Sequence, residues 1–257
     1  MAERIRLAAV YAHPDDDTNG IGAVLAANAD RIRYTLICCT SGEAGEIADP
    51  SLATRENLAT VREQEERDAI AALGVTDADI HFLRHPDGGL ADVPREPLIE
   101  QVTAILRDAP PQVVITFGPE GVTRHADHIT AGEVGTAAFH RLCEEGLPVQ
   151  RLYYVAVPKS ALDRFWNALL ARGRVVNPDA PFMPQGIPDD RIDVRVEMGD
   201  ALDQKIAGIE AHRTQNFHFI PEDLRRQLFV AEHFIQAWPQ RQAGATQLTS
   251  LFDGLEA

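Results

Sequence analysis

Leu7-Ala8-Ala9-Val10-Tyr11-Ala12-His13-Pro14-Asp15-Asp16-Asp17 is an apolar run that empties into one histidine and three carboxylates. The run from Ile5 to Ala12 reads as a strand covered on both faces, the habit of parallel sheets. Where that strand surfaces, the charges crowd. Carboxylates packed together repel unless a cation or a shared proton relieves them, and a divalent metal is the simplest relief. A plainer reading makes the turn a proline-containing strand end whose Asp residues cap the next helix.

The same alternation of strand and helix continues along the chain. Helical segments are expected over Gly20 to Ala29, Thr54 to Leu73 (stopped by Gly74), Glu96 to Leu106, Thr130 to Cys143, Ser160 to Ala171 and Asp200 to His212. Between them, Tyr34 to Thr40, Ile80 to Leu83, Gln112 to Phe117 and Leu152 to Val157 read as strands. Ile192 to Val196 alternates like a strand with one wet face, and Phe229 to Ile235 reads as a last strand. This pattern predicts an α/β fold, Rossmann-like, with a mostly parallel sheet and helices on both faces. Ligands in such folds gather at the carboxyl ends of the strands. The polar clusters fall there: Asp15, Ser41-Gly42-Glu43, His85-Pro86-Asp87 and His125 to His128 follow the first four strands in turn.

The 257 residues fit a single domain over 1–257, with the part from about 177 forming rim loops and a smaller appendage; Asn177 to Asp190 is rich in Pro and Asp and reads as loop. A formal charge of −15 argues against nucleic-acid or anionic-membrane partners. No apolar run reaches the roughly 18 residues of a membrane span, and no signal peptide is apparent, so a cytoplasmic location is expected. A homo-oligomer is compatible with the sequence. Cys38 and Cys39 read as small buried hydrophobes, and Cys143 adds no disulfide framework. His81, His140, His218 and His233 read as surface or core histidines, and Trp166 and Trp238 as packing residues. Glu43 and Glu46 either line the pocket or cap the approach to the Thr54 helix.

Thr123-Arg124-His125-Ala126-Asp127-His128 is the second constellation. Two histidines three apart can share one side of a helical turn, as two metal ligands or as one ligand beside one acid/base group. The pair gains weight by following a strand of the sheet whose first strand delivers His13 and Asp16. Two His and one carboxylate leave a zinc position open, as catalytic sites do.

Ala12-His13-Pro14-Asp15-Asp16 together with His125-x-Asp127-His128 resembles the zinc-dependent N-acetylglucosaminyl deacetylases of the LmbE/PIG-L family, which includes the mycothiol and bacillithiol deacetylases. Thr40-Ser41-Gly42-Glu43, Arg62-x-x-Glu65, Asp87-Gly88 and Lys205…His212-x-x-Gln215 extend the resemblance over most of residues 5–215. It implies one Zn2+ per chain on His13, Asp16 and His128, with Asp15 as general base on the attacking water. It further implies that His125 stabilises the oxyanion or protonates the leaving amine, with Asp127 as its orienting partner. Arg62 and Asp87 match positions that contact sugar hydroxyls. Asp17 departs from the Glu of many members.

The chemistry agrees with the resemblance. An amide is a poor electrophile, so its hydrolysis needs a polarised carbonyl, a strong nucleophile and a proton for the departing nitrogen. The expected function is removal of an N-acetyl group from a small N-acetylated amino sugar. The alternative is an amidase of the same fold acting on a thiol S-conjugate or another acyl-amide. A nucleotide-binding reading fails at the first turn: His13 to Gly22 has no G-x-G-x-x-G, and its carboxylates would repel a pyrophosphate. A non-catalytic relative is disfavoured because every expected catalytic residue is present.

Overall fold

A computed structural model describes residues 4–175, 177, 180, 182–215, 222–242 and 244–255. Its strands are β1 (Ile5–Tyr11), β2 (Ile32–Thr40), β3 (Ala78–His85), β4 (Val113–Phe117), β5 (Arg151–Ala156), β6 (Val194–Glu197) and β7 (Ala231–Trp238). The helices are α1 (Asp16–Ala27), α2 (Leu58–Ala72), α3 (Arg95–Asp108), the single turn α4 (Gly121–Arg124), α5 (Ala126–Glu144), α6 (Lys159–Ala171), α7 (Leu202–Ala211) and α8 (Glu222–Leu228).

All seven strands form one sheet in the order β3-β2-β1-β4-β5-β7-β6. The first five are parallel; β7 runs antiparallel to β5, and β6 antiparallel to β7. The central strands β1 and β4 carry almost wholly buried side chains, which is why they read as continuous apolar runs. Successive strand residues face opposite sides of a sheet. Val10 lies under Gly135 of α5 and Tyr11 under Gly20 of α1, so these two helices cover opposite faces. The chain reverses its winding between β1 and β4, which opens a crevice at their carboxyl ends.

A glycine seats α5 over that crevice. A Cβ on Gly132 would lie 2.6 Å from the carbonyl oxygen of Phe117, so no other residue lets α5 approach the end of β4 so closely. The Thr116 hydroxyl donates to the Val10 carbonyl at 2.8 Å and ties β4 to β1 beside it.

Three helix starts lie four residues from the sequence expectation, with physical reasons. Helix α1 starts at Asp16 rather than Gly20, and α5 at Ala126 rather than Thr130, because the first turn of each is polar and belongs to the site. Helix α2 starts at Leu58 rather than Thr54: the Asn57 carboxamide accepts the Thr54 N–H at 2.7 Å and makes that stretch a turn. Trp238, expected to pack, is 45% exposed at the end of β7. His218 lies outside the described residues.

Candidate metal and catalytic centre

The residues that end β1 and those that open α5 meet across the crevice. Asp15 holds a left-handed backbone, φ 97°, unusual for a residue with a side chain. Its N–H donates to Glu66 of α2 at 2.8 Å, and its carbonyl accepts the Asn19 N–H, which fixes the bend. The next residue, Asp16, turns one oxygen back to accept the His13 N–H at 2.8 Å. The loop before α5 is similarly bent: Gly121, Val122 and Arg124 all have positive φ. The Val122 carbonyl accepts the Gln185 N–H at 2.7 Å, which brings the following segment alongside.

Hydrogen-bond geometry assigns the proton on His128 and His125. His128 Nδ1 lies 3.1 Å from the Gly121 carbonyl, so it carries the hydrogen and leaves Nε2 with a free lone pair. His13 Nε2 lies 3.0 Å from Asp87 and 3.4 Å from Asp127, and Nδ1 is turned towards His128. His13 Nδ1 and His128 Nε2 face one another at 3.2 Å. Asp16 stands beside both, Oδ2 at 3.6 Å from His13 Nδ1 and Oδ1 at 3.4 Å from His128 Nε2. Burial disfavours charge on His13, but Asp127, Asp16 and Asp87 outweigh it and raise His13 well above the ordinary imidazole value, so the spot between the two rings calls for a proton or a cation. Donor atoms about 2.0–2.1 Å from a tetrahedral zinc ion lie about 3.3 Å apart, so this donor set fits one.

His125 belongs to a different role. Its Nδ1 accepts the Asp127 N–H at 3.1 Å as the N-cap of α5, which leaves Nε2 as an N–H donor. Its ring nitrogens lie near enough to His13 and His128 to form a three-histidine group, yet that tautomer offers a proton rather than a lone pair. The Asp127 backbone N–H thus fixes the His125 ring. The Asp127 carboxylate accepts the Gly88 and Leu90 N–H groups at 2.7 and 3.0 Å and faces His13. Asp127 therefore touches both histidines, His125 through its backbone and His13 through its side chain.

Electrostatics separate the carboxylates. Burial, reinforced by Asp16 and Asp17, raises Asp15 to about 7, although Arg62 and His13 pull the other way. Burial acts in the same sense on Asp16, but the neighbouring His128 and His13 outweigh it and hold Asp16 at about 2. One carboxyl is thus poised to take up a proton near neutrality while its neighbour stays ionised. Burial, with the nearby His13 and His128, keeps His125 below the ordinary imidazole value.

Arg62 and Asp87 line the cluster but are not turned outward. Arg62 is buried, donating to the Gly42 and Pro14 carbonyls at 2.8 and 2.7 Å and lying 3.4 Å from Asp15. Asp87 accepts the Ala44 N–H at 2.8 Å, and its own N–H goes to Glu43 at 2.8 Å, so Glu43 is a wall residue here. Asp17 is fully withdrawn from the cluster and accepts the Tyr34 hydroxyl at 2.9 Å. His212 is buried behind it, 3.4 Å from Thr18 and 4.0 Å from Glu66. His81 pairs with Asp79, and His140 packs on Phe139 and Trp238, all away from the cluster. Sequence reasoning missed Glu66. A signal existed: the apolar stripe Leu58, Val61, Ala69, Ile70 of α2 is broken by acids at 65 and 66, the turn where it should face inward.

This crevice, with two facing imidazole nitrogens, an ionised carboxylate and a second carboxyl held near neutrality, is a site of the metal-assisted hydrolase class. The chain belongs to the PIG-L family: the family model described as GlcNAc-PI de-N-acetylase matches residues 8–139. The 1D-myo-inositol 2-acetamido-2-deoxy-alpha-D-glucopyranoside deacetylase of Acidothermus cellulolyticus is 33% identical over 96% of this chain and 94% of that protein. The protein of the same name from Mycobacterium sp. (strain JLS) is 35% identical over 84% of this chain and 76% of its own. Among solved structures, the N,N'-diacetylchitobiose deacetylase of Pyrococcus horikoshii shares the fold, with a TM-score of 0.59 at 21% identity over 90% of this chain and 83% of that one. Among the described residues no helix is long and apolar enough to cross a membrane.

Proposed function

We propose that this protein hydrolyses the N-acetyl amide of a small glucosaminyl compound, with His13, Asp16 and His128 holding a zinc ion, Asp15 moving the proton and His125 stabilising the oxyanion. The observation that carries this reading is the pair of facing nitrogens, His13 Nδ1 and His128 Nε2, with Asp16 against both. A zinc ion bound there supplies Lewis acidity: it polarises the acetyl carbonyl and makes water a nucleophile at neutral pH. The Asp15 carboxylate takes the proton that the attacking water gives up. His125, through Nε2–H, donates a hydrogen bond to the oxygen of the tetrahedral carbon, and the proton that Asp15 took from the water passes to the departing nitrogen. The C–N bond breaks, and acetate and a free amine leave.

Asp87 and Asp127 act earlier, holding His13 in the tautomer that presents Nδ1. Arg62 braces the Pro14–Asp15 bend from behind. Family resemblance further supports Arg62 and Asp87 as contacts to sugar hydroxyls. The relatives' names make the inositol-linked 2-acetamido sugar the first acceptor to try. Acetate release from that compound, from N-acetylglucosamine and from chito-oligosaccharides, alongside amine release from a thiol S-conjugate, tests the reading. Acetate from an N-acetylglucosaminyl compound is the expected result. Turnover of the S-conjugate alone would replace the deacetylase by an amidase, and no turnover of any would refute both.

A further inference from the structure

A buried ion pair is spliced into the middle of the helix that carries Asp16. In an unbroken α-helix the Ala23 N–H would go to the Asn19 carbonyl and the Val24 N–H to that of Gly20. In α1 both N–H groups donate to Glu232 of β7, each at 2.8 Å to a different oxygen. The Asn19 carbonyl accepts Lys205 Nζ of α7 at 2.7 Å, and Lys205 also contacts Glu232 at 2.6 Å. Both side chains are almost fully buried. Gly22 makes the entry possible, since a Cβ there would lie 3.3 Å from Lys205 Cγ.

The pair does what caps do at helix ends, but in mid-helix. Glu232 serves as the N-cap ligand of a half starting at Ala23, and Lys205 takes a carbonyl that ends the half before it. The Asn19 N–H of that first half donates in turn to the Asp15 carbonyl at 3.0 Å, which links the pair to the turn before Asp16. That half bears Asp16, which must reach His13 and His128, and Asp17, which must reach Tyr34.

Stability alone is a poor account of the pair. Desolvating two charges costs about as much as their attraction returns, and apolar replacements of a buried pair are often neutral or stabilising. We infer that Lys205 and Glu232 are positioning residues for the metal centre, setting the first turn of α1 so that Asp16 meets His13 and His128. This rests on the metal-site reading above.

The test replaces the pair by apolar residues of similar size, Lys205→Met with Glu232→Leu, and reads Zn2+ affinity by competition with a chelating dye. With the pair gone, nothing from β7 or α7 holds the Ala23 and Val24 N–H groups or the Asn19 carbonyl, and the first turn of α1 shifts. The double variant is expected to unfold near the wild-type temperature, to bind Zn2+ about tenfold to about a hundredfold more weakly, and to lose kcat more than KM. Should it fail to fold, Glu232→Gln keeps the volume while setting an amide N–H against a backbone N–H, and the same weakening is expected. A folded variant with wild-type Zn2+ affinity overturns the inference. Wild-type protein that binds no divalent ion overturns it together with the metal site. Wild-type protein that binds Zn2+ but releases no acetate leaves the affinity comparison intact and refutes the deacetylase reading alone.

Discussion

Replacing Asp15 by glycine should make the metal-free protein more stable while disabling it. Two costs meet at this residue. Its carboxyl, only 15% exposed, is raised by burial and by Asp16 and Asp17 to about 7. A shift of about three units corresponds to about 4 kcal/mol against the ionised form. The backbone adds its own cost: φ 97° disfavours any residue with a Cβ by about 1–2 kcal/mol. Glycine removes both and gives back about 0.5–1 kcal/mol through its freer unfolded chain. The net gain is about 4–5.5 kcal/mol above about pH 7. The sign of the pH dependence follows from the raised value: the folded protein keeps a proton that the unfolded chain has released, so wild type loses stability as pH climbs from about 4 to about 7. The advantage of Asp15→Gly is therefore full above that window and shrinks to the backbone part below it. Urea unfolding in excess chelator, at both ends of the window, measures it. The same variant should retain metal and lose acetate release by about 10²–10⁴-fold. A variant less stable than wild type at both pH values, or an advantage independent of pH, would refute the reasoning.

Other substitutions separate the remaining roles. His128→Ala removes a lone pair from the centre and should abolish both metal retention on dialysis and acetate release. His125→Gln should keep wild-type metal content but lose about 10²–10³-fold in kcat, as for a lost oxyanion donor; loss of metal would show that its assigned tautomer is wrong. His212 is held neutral by burial, with Arg62 nearby, and its value falls to about 3. The unfolded chain therefore takes up the proton first, and stability is lost as pH falls from about 6.5 towards about 3, by about 2 kcal/mol at pH about 5. His212→Gln should flatten that loss in urea melts at about pH 7 and about pH 5.

The sheet was legible where burial is complete. Ile5 to Ala12 and Gln112 to Phe117 read as strands, matched by β1 and β4, because strands covered on both faces carry mostly apolar residues, and their order along the chain already pointed to a crevice at their ends. His13, Asp15, Asp16, His125 and His128 were legible as well, because charge at the mouth of a buried strand is costly and conspicuous. The helix starts at Asp16 and Ala126 were not: residues that serve the site occupy their first turns, so the periodic apolar signal begins a turn late. Nor was the Asp127 side chain's partner, since a short acid next to a histidine can reach it through either backbone or carboxylate. The antiparallel direction of β7 depends on its pairing with β5 and β6, and Glu232 meets Ala23 and Val24 from more than two hundred residues along the chain, so no local pattern speaks for either.

The facing nitrogens of His13 and His128 hang on elements already fixed without them. Strand β1 is locked by β2 and β4, and α5 by the contact of Gly132 with Phe117, all through apolar packing and main-chain bonds. A small zinc domain acquires its shape from the ion and collapses under a chelator. On the proposed reading the chain folds first and is loaded afterwards, so a chelator is expected to empty the centre and leave the far-UV circular dichroism unchanged. Refilling with cobalt, manganese or nickel should then need no refolding, and the ion carried in a cell would follow supply as much as preference.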